Sequence, residues 1–374
     1  MFRLGAMRRR TPIAALALTA TAAATLLAAT PAGASGHWTF TEVRSRSTAT
    51  PNSSYVGVTT SKAGSTWAIG YESRQINGRL LDQPLVAHWN GSGWSHIPAP
   101  PTPPHAAFGS RMQDIGVVGT SSVWVLGSYF AGGSEDSHYV AHWANGKWGV
   151  KLLGTAWITT LAAFSDGDVW LLGTVGAPGS PRAWHLTPGG HLTSRGLPAK
   201  PSRVSPGSAS IGWALADFST LLHYNGHAWV TAAAPAVAHA PTTKVYFHDV
   251  VKRSESDVWL AVGYEARGGM QPGLGLWHWD GTHWMHKLQM KTGSPDALTL
   301  GTGQGVWFLS SGSPQLLHYT GSGSTVSGVA LPTRNGLTLA IAGLAKVANK
   351  SALLAAGSLD RNNQSSGAIA EFIS

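Results

Sequence analysis

The chain has 374 residues, of which 43% are hydrophobic and 11% are charged, and cysteine does not occur among them. Disordered chains are usually richer in charge and poorer in apolar residues, so this composition excludes a disordered protein and indicates a folded one. The 46 glycines and 17 tryptophans are typical of a turn-rich protein with a large aromatic core. Without cysteine there are no disulfides, so side-chain packing alone must hold the fold together.

The first 34 residues have the three parts of a secretory signal peptide. Three arginines at 8–10 form a positive segment, the Ala/Leu-rich stretch from Ile13 to Ala29 is apolar, and Ala-Gly-Ala at 32–34 forms a cleavage site. We therefore expect export and cleavage after residue 34, by the general or the twin-arginine route. A retained membrane anchor is the alternative, but the small-residue site favours removal.

The net charge that remains after cleavage limits the classes of partner that the mature chain can bind. Four of the 26 Lys and Arg lie within residues 1–34, which leaves 22 against 17 Asp and Glu and a net charge of +5. The remaining Lys and Arg do not cluster, which argues against nucleic-acid binding. No later stretch has the 18 apolar residues that a spanning helix needs. We expect a secreted, extracellular monomer without a cofactor.

A sequence unit that contains a tryptophan strand recurs seven times after the signal peptide, at spacings of 43 to 57 residues. Its clearest copies are Ser65–Gly70, Ser122–Gly127 and Asp168–Gly173. The tryptophans of this strand are Trp67, Trp124, Trp170, Trp213, Trp259 and Trp307, with Leu353-Leu354 in the seventh copy. A histidine follows each of them, at His88, His142, His185, His223, His278 and His318, with Glu371-Phe372 in the seventh copy.

Two further short strands complete each unit, one before the tryptophan and one after a turn such as Asn90-Gly91 or Asp280-Gly281. Asn-Gly and Asp-Gly are strong hairpin signals because both central residues of such a turn need positive φ. Four short strands in about forty-five residues is the pattern of a propeller blade. The sequence therefore predicts an all-β fold, a seven-bladed β-propeller with four strands per blade over residues 35–374.

The two ends of the propeller provide a separate check on this prediction. The seventh unit has signatures for three strands, and its last strand ends near Phe372. The segment Gly36–Phe40 resembles the strand that follows each Asn-Gly or Asp-Gly turn. We predict that this N-terminal strand completes blade seven, which closes the ring and removes two open sheet edges.

The units resemble a repeat of exported bacterial β-propellers, approximately Asp-Val-Trp-Ala-Val-Gly, then His-Trp-Asn-Gly, then Trp. They are also distantly similar to the repeats of kelch, sialidase-type and YVTN-type propellers. The resemblance covers residues 36–374 and implies the propeller fold. It implies little about activity, because propellers host unrelated functions.

Residues that recur in every blade are expected to be structural. The in-register tryptophans should fill the space between blades, and we prefer this to a sugar-binding platform. Each repeated histidine should hydrogen-bond within its own sheet, because equivalent positions in different blades diverge and cannot converge on a metal ion. Asp168 and Asp257 should serve in the turn between the first two strands. No metal site is predicted.

Functional residues are expected where the blades differ, and the connections between the second and third strands differ most in length. The longest belong to blades seven, one and two, with blade five opposite, which predicts an uneven rim of loops over the central channel. Loops on a rigid scaffold commonly carry binding residues, although ordinary solvated surface is the simpler explanation for any one of them. The candidates on these loops are Tyr71, Glu72, Arg74, Tyr264, Glu265 and Arg267.

A second group of candidates lies ten residues before each second-strand anchor, in the innermost strand. At this position blades two and five have Asp114 and Asp249, which should face each other across the ring with Arg203 between them. Two carboxylates beside a channel could act as acid and base on a glycosidic bond. The alternative, which we prefer, is that they hydrogen-bond backbone N–H groups or channel water. In blade seven the same count gives Leu344.

Trp157 is the one tryptophan outside the repeat pattern, just before the inner strand of blade three. On the loop side of the ring its side chain could stack on a sugar or clamp a peptide. Burial against its neighbours is an equal alternative, because tryptophan is largely buried in most proteins.

These observations favour a secreted, non-catalytic propeller that binds a glycan, a cell-wall fragment or a peptide on the loop side of the channel. A glycoside hydrolase or lyase that uses Asp114 and Asp249 is the alternative, and a purely structural or adhesive protein is a third class. The sialidase-type motif Ser-x-Asp-x-Gly-x-Thr-Trp is nearly matched at residues 60–67, but Lys62 replaces its aspartate. A kelch-type oxidase would need a Cys–Tyr crosslink, and the sequence has no cysteine.

Overall fold

A computed structural model describes residues 36–44, 47, 50–102, 109–130, 137–154, 156–164, 168–176, 179–187, 189–208, 211–237, 244–266, 269–290, 295–301, 303, 305–310, 313–348, 350–362 and 364–373. The predicted signal peptide, residues 1–34, lies outside this part of the chain. The described residues form 29 β-strands arranged in seven sheets. The fold is all-β, and the sheets are the seven predicted blades of a β-propeller.

The first described strand, β1 (His37–Val43), belongs to the last blade, and six four-stranded antiparallel blades follow it in chain order. Blade one is β2 (Asn52–Thr60), β3 (Thr66–Ile76), β4 (Arg79–Trp89) and β5 (Trp94–Ile97). Blade two is β6 (Ser110–Val118), β7 (Ser122–Tyr129), β8 (Ser137–Ala144) and β9 (Lys147–Leu152). Blade three is β10 (Ala156–Ala163), β11 (Val169–Val175), β12 (Ser180–Leu186) and β13 (Leu192–Gly196).

The remaining blades repeat this order. Blade four is β14 (Pro201–Ser208), β15 (Ile211–Ala216), β16 (Thr220–Tyr224) and β17 (Trp229–Ala232). Blade five is β18 (Lys244–Ser254), β19 (Asp257–Ala266), β20 (Gly269–Trp279) and β21 (Trp284–Gln289). Blade six is β22 (Pro295–Leu300), β23 (Val306–Ser310), β24 (Gln315–Tyr319) and β25 (Val326–Ala330). Blade seven is β27 (Leu337–Lys346), β28 (Ala352–Arg361), β29 (Gln364–Ile373) and β1, with the two-residue strand β26 (Thr333–Arg334) beside β27.

The N-terminal strand closes the ring, as the sequence predicts. β1 pairs antiparallel with β29, and Trp38 lies opposite Phe372. The Phe372 ring is fully buried and contacts Trp38 and Trp307, with ring centroids 5.2 and 5.3 Å apart. Trp38 Nε1 also donates a 2.9 Å hydrogen bond to the Ala330 carbonyl of blade six. Closure therefore joins the first described strand to the last two blades.

The two ends of the ring are named here by the connections they carry. The loop face has the links between blades and the connections from the second to the third strand of each blade, and the turn face has the other hairpin turns. On the loop face, the long connections predicted for blades one and seven are not loops. They are extended hairpins, because β3 and β4 pair as far as Ile76 and Arg79 around a tight Asn77-Gly78 turn, and β28 and β29 pair as far as Arg361 and Gln364.

The inner strand of every blade has a β-bulge at an equivalent position. One residue in each strand has no partner in the neighbouring strand, and we name these seven the bulge row. They are Val56, Gln113, Thr159, Ser202, His248, Asp296 and Ala342. The residues that follow them form the channel row: Gly57, Asp114, Thr160, Arg203, Asp249, Ala297 and Gly343. The count from sequence is correct in six blades and wrong by one in blade seven, where the first hairpin is one residue longer and Gly343 replaces Leu344.

The bulge explains the glycine that ends the tryptophan signature. The residue before each bulge pairs with Gly70, Gly127, Gly173 and Gly357 in four of the blades. A Cβ atom on Gly173 would lie 2.1 Å from the Trp157 carbonyl oxygen, and one on Gly357 would lie 1.9 Å from the carbonyl oxygen of Ala340. Because the bulge brings the facing backbone this close, only glycine fits without displacement at positions 70, 173 and 357. A Cβ atom on Gly127 would instead meet the ring of Tyr139.

The second-strand tryptophans and the repeated histidines are structural. The six tryptophans are at most 7% exposed, and each packs against the histidine of its own blade with ring centroids 3.9 to 4.9 Å apart. Burial lowers the pKa of His142, and its Nε2 lies 2.8 Å from Ser122 Oγ. Asp257 Oδ1 accepts hydrogen bonds from Trp259 Nε1 and lies 3.0 Å from His278 Nε2. The residue two positions before the tryptophan therefore hydrogen-bonds the histidine of its blade. The sequence predicts a turn position for Asp257 and does not predict this bond.

The turns between the third and fourth strands differ from the predicted type. At Asn90, Asn225 and Asp280 the side-chain oxygen accepts hydrogen bonds from the N–H groups two and three residues later. Only the following glycine has positive φ there, so these are side-chain-capped turns. The predicted two-residue turn with two positive φ values occurs at Asn145-Gly146.

Loss of the buried ring at the closure is expected to destabilise the fold. Phe372→Ala should lower the free energy of unfolding by about 3–5 kcal/mol, because it leaves a cavity between blades six and seven. The neighbouring Ile373 is 43% exposed, so Ile373→Ala should change it by less than about 1 kcal/mol. Denaturant unfolding measures both, and equal losses would contradict this account of closure.

Addition of one methyl group opposite a bulge should have a similar effect. Gly173→Ala should destabilise the fold by about 1–3 kcal/mol, because the facing backbone must move. Gly196 lies in a strand of the same blade with open space around its Cβ position. Gly196→Ala is therefore the matched control, and its unfolding midpoint should stay at the wild-type value or rise.

Candidate functional site

The central channel contains a cavity of about 690 Å³ that residues of all seven inner strands line. Cavities that hold small ligands usually measure about 300–1,000 Å³. The cavity extends from the bulge row to the turns at Ser61–Ala63 and Gly119, on the turn face. Asp114, Arg203 and Asp249 all line it. The structure thus brings three of the ten predicted site residues into one concave surface.

Asp114 joins the inner strands of blades two and three. Its Oδ1 accepts a 2.8 Å hydrogen bond from the backbone N–H of Ile115. Its Oδ2 accepts one of 2.9 Å from Thr160 Oγ1 and one of 2.8 Å from the backbone N–H of Leu161. These bonds match the structural alternative for this residue.

Asp249 repeats this arrangement between blades five and six. Its Oδ1 accepts a 2.8 Å hydrogen bond from the Val250 N–H, and its Oδ2 accepts one of 2.7 Å from the Leu298 N–H. Arg203 Nη1 of blade four lies 3.0 Å from the same Oδ2. This ion pair joins blade four to blade five, at the position between the two aspartates where the sequence placed Arg203.

Burial raises the pKa of both carboxyl groups above the usual range of aspartate, and the hydrogen bonds and the positive charge of Arg203 oppose that rise. Raised carboxyl pKa values occur at catalytic sites and also in structural networks. Both aspartates bond the same two kinds of backbone N–H, one in their own strand and one in the next blade. This repetition in two blades favours a role in holding neighbouring inner strands together.

Trp157 lies on the loop face, two residues before the bulge of blade three. Its side chain is 45% exposed, while one face of the ring packs against His138 at a centroid distance of 4.7 Å. The residues on either side of it, Ala156 and Ile158, are buried. Trp157 therefore presents a fixed aromatic surface to solvent, but it does not line the channel cavity.

Phe218 is a second exposed aromatic residue on the loop face. It lies in the tight turn between β15 and β16, where both Asp217 and Phe218 have positive φ. Its ring is 71% exposed and contacts Tyr246 edge-on, with centroids 5.4 Å apart. The sequence prediction missed this residue because blade four has the shortest connection and was not considered part of the rim.

The predicted residues of blade one lie on the strand β3, not on a loop, and they point to opposite sides of the sheet. Tyr71 contacts the Arg111 guanidinium of blade two, whose carbon lies 4.5 Å from the ring centroid. Arg111 Nε also donates a 2.6 Å hydrogen bond to Asp82. Arg111 was missed by the sequence analysis, and this contact places it beside Tyr71 at the rim between blades one and two.

Glu72 and Arg74 form a separate cluster on the flank of blade one. Glu72 is buried and accepts hydrogen bonds from Arg74 Nε at 2.6 Å and from Arg44 Nη2 at 2.5 Å. Arg44 follows β1, so this ion-pair cluster attaches the closing strand to blade one. These residues border a second cavity of about 530 Å³ beside Pro84 and His96, away from the channel.

Two of the three rim residues predicted in blade five belong to its second strand. Tyr264 and Glu265 lie near the end of β19, where Glu265 pairs with Lys244 and Met270 through the backbone. Arg267 lies outside the described residues. As in blade one, this connection is an extended hairpin and not the predicted loop.

Two classes of feature are absent from the described part of the chain. No group of three or more His, Asp or Glu side chains is placed to hold a metal ion there. Within the same residues, no helix has the length and apolar character needed to cross a membrane.

Removal of one channel carboxylate is expected to destabilise the ring. Asp249→Ala should lower the free energy of unfolding by about 1–3 kcal/mol, because the buried Leu298 N–H loses its acceptor. Asp296, in the same region of blade six, contacts His248 at 3.6 Å and is 42% exposed, so Asp296→Ala should cost less than about 1 kcal/mol. Thermal or denaturant unfolding compares them, and a neutral Asp249→Ala would refute the proposed inter-blade role.

Solved propellers share this fold. A structure of YCF48 bound to D1 peptide is similar over 90% of this chain and 97% of its own, with a TM-score of 0.56 and 12% identity. The extracellular domain of BT4673 from B. thetaiotaomicron is similar over 89% of this chain and 40% of its own, with a TM-score of 0.52 and 10% identity. Trypanosoma rangeli sialidase gives a TM-score of 0.48 at 13% identity, over 89% of this chain and 59% of its own. No protein-family model and no curated protein sequence matches the chain, and the structural likeness shows the β-propeller fold alone.

Proposed function

We propose that this chain is an exported, non-catalytic binding propeller that holds an extracellular glycan, cell-wall fragment or peptide on its loop face. The observation that carries the proposal is the exposed aromatic surface there. Trp157 is the tryptophan that breaks the repeat pattern, and it is 45% exposed while the second-strand tryptophans are buried. An aromatic side chain that is exposed and fixed by a neighbour offers contact area to a ligand at small entropic cost.

Other side chains of the loop face support the same function. Phe218 is exposed and supported by Tyr246, and Arg111 is held between Tyr71, Phe130 and Asp82. Rigid aromatic and arginine side chains are the residue types that contribute most to binding surfaces. A peptide is one of the ligand classes because YCF48, a propeller with a similar fold, binds D1 peptide.

The channel carboxylates favour binding over hydrolysis. A glycoside hydrolase needs one carboxyl group as acid and a second as base or nucleophile beside the scissile bond. Here both Asp114 and Asp249 accept hydrogen bonds from backbone N–H groups of the next blade, which gives them a structural role that does not depend on a substrate. Export rests on the predicted signal peptide at residues 1–34, which N-terminal sequencing of the secreted protein would test.

Loss of the exposed indole should weaken ligand binding without unfolding the protein. Glycan arrays, cell-wall pull-down and peptide arrays with the mature chain should identify a bound ligand. Trp157→Ala should then weaken its binding about tenfold, the change that corresponds to about 1.4 kcal/mol. Val230, which is 40% exposed on the outer strand of blade four, is the control, and Val230→Ala should bind like the wild type.

The same protein also serves to test the enzymatic alternative. If the chain binds nothing on the arrays but cleaves a chromogenic glycoside, the proposed function is wrong. Loss of that cleavage in folded Asp114→Asn and Asp249→Asn variants would then assign the reaction to the channel carboxylates.

A further inference from the structure

The channel wall is chemically divided into two halves, and this division identifies a ligand site. We propose that blades two to five form a recognition wall for the terminal sugar of a neutral glycan, which enters the channel from the loop face past Trp157. This inference rests on the proposed binding function and assigns its ligand class and its location. It follows from three rows of equivalent inner-strand positions.

The first row, here named the mouth row, lies two residues before each bulge. Its described members are Ser54, Arg111, Trp157, Lys200, Tyr246 and Ala340, and the blade-six member lies outside the described residues. Arg111, Trp157, Lys200 and Ala340 are exposed and Ser54 and Tyr246 are half-buried. Two residues along a strand span about 7 Å, so the mouth row lies that far above the bulge row. Blades two to five thus have the large cationic or aromatic side chains, and blades seven and one have Ala340 and Ser54.

The bulge row and the channel row repeat this division. On blades two to four the bulge row has Gln113, Thr159 and Ser202, all of which line the cavity, and Gln113 and Ser202 are exposed. On blades seven and one the same row has Ala342 and Val56. The amide and hydroxyl groups of Gln113, Thr159 and Ser202 donate and accept hydrogen bonds, whereas the side chains of Ala342 and Val56 do neither.

The channel row has the same two halves. Asp114, Thr160, Arg203 and Asp249 belong to blades two to five, and Ala297, Gly343 and Gly57 belong to blades six, seven and one. The glycines have a packing reason, because a Cβ atom on Gly343 would lie 3.1 Å from the Gly57 Cα. Close contact of β27 and β2 therefore leaves blades seven and one without side chains at the channel row, and a ligand can occupy the space beside them.

Charge pairing at the channel row favours a terminal sugar without net charge there, below the exposed Lys200 of the mouth row. Arg203 pairs with Asp249 at 3.0 Å, Arg111 pairs with Asp82, and the oxygens of Asp114 accept backbone and Thr160 hydrogen bonds. A charged ligand would have to lose its own hydration and find no unpaired opposite charge among these groups, which is unfavourable. A sugar has hydroxyl groups that match the exposed Gln113 and Ser202, and apolar ring faces that stack on an indole such as Trp157.

The test uses the mature chain and calorimetric titration with three probe sets. These are neutral oligosaccharides of glucose, mannose and N-acetylglucosamine, the corresponding uronic-acid oligosaccharides, and a mixed peptide library. We expect a neutral oligosaccharide to bind, and Gln113→Ala to weaken it about fivefold, as loss of one hydrogen bond does. Ala342→Phe, which places a ring in the open half of the channel, should weaken it at least tenfold. Val56 belongs to the bulge row of blade one, outside the recognition wall of blades two to five. Val56→Thr should therefore bind like the wild type.

Thermal unfolding and circular dichroism of each variant exclude misfolding as the cause of weaker binding. Gln113→Ala, at an exposed position, keeps the test valid if Ala342→Phe does not fold.

If Trp157→Ala weakens binding while Gln113→Ala and Ala342→Phe leave it unchanged, the ligand stays on the rim. The channel site is then wrong, although the proposed binding function stands. Binding of acidic sugars or peptides alone would overturn the ligand class. If the wild-type chain binds none of the three sets, the channel site and its ligand class are wrong, and the cell-wall pull-down then decides the proposed binding function.

Discussion

Pairing of β1 with β29 is the interaction on which the remaining structure depends, because it closes the ring of sheets and covers the edge of β29. Each blade buries its apolar faces against two neighbours, and clusters of buried side chains join every adjacent pair. At the seam, Phe372 lies between Trp38 and Trp307, and the Arg44–Glu72–Arg74 cluster attaches the end of β1 to blade one. Ring closure therefore combines a backbone ladder, an aromatic contact and an ion-pair cluster around the buried Glu72, in a protein without disulfides.

The β-bulge of the inner strands connects this architecture to the candidate site. A bulge re-aims a side chain of the inner strand, and the cavity is lined by the whole channel row and by five members of the bulge row. The glycines of the tryptophan signature make room for the bulges, since a Cβ atom at Gly70 would lie 2.0 Å from the Ser54 carbonyl oxygen. One repeated sequence feature thus fixes which residues of each blade a ligand can meet.

This fold places two groups of residues in different positions. One group recurs in every blade, and the other occurs in some blades only. The tryptophan–histidine pairs recur around the ring and are buried, so they stabilise the blades and offer nothing to a ligand. Trp157, Gln113 and Ser202 occupy positions whose residue type changes from blade to blade, and blade seven has alanine at the equivalent positions, Ala340 and Ala342. Binding properties belong to such differences, because a scaffold with equivalent blades has equivalent surfaces.

The sequence alone determined the all-β class, the number of blades, the closing strand and the positions of the channel carboxylates, because each follows from local period, turn residues and the spacing of a repeat. It did not determine that Tyr71, Glu72 and Arg74 belong to an extended hairpin with partners on opposite sides, although Asn77-Gly78 was a readable signal for the tight turn. Nor did it show that Asp114 and Asp249 each bond the backbone of the next blade, or that Trp157 rests on His138. Those contacts join residues of neighbouring sheets, and only the assembled ring sets the distance between one blade and the next.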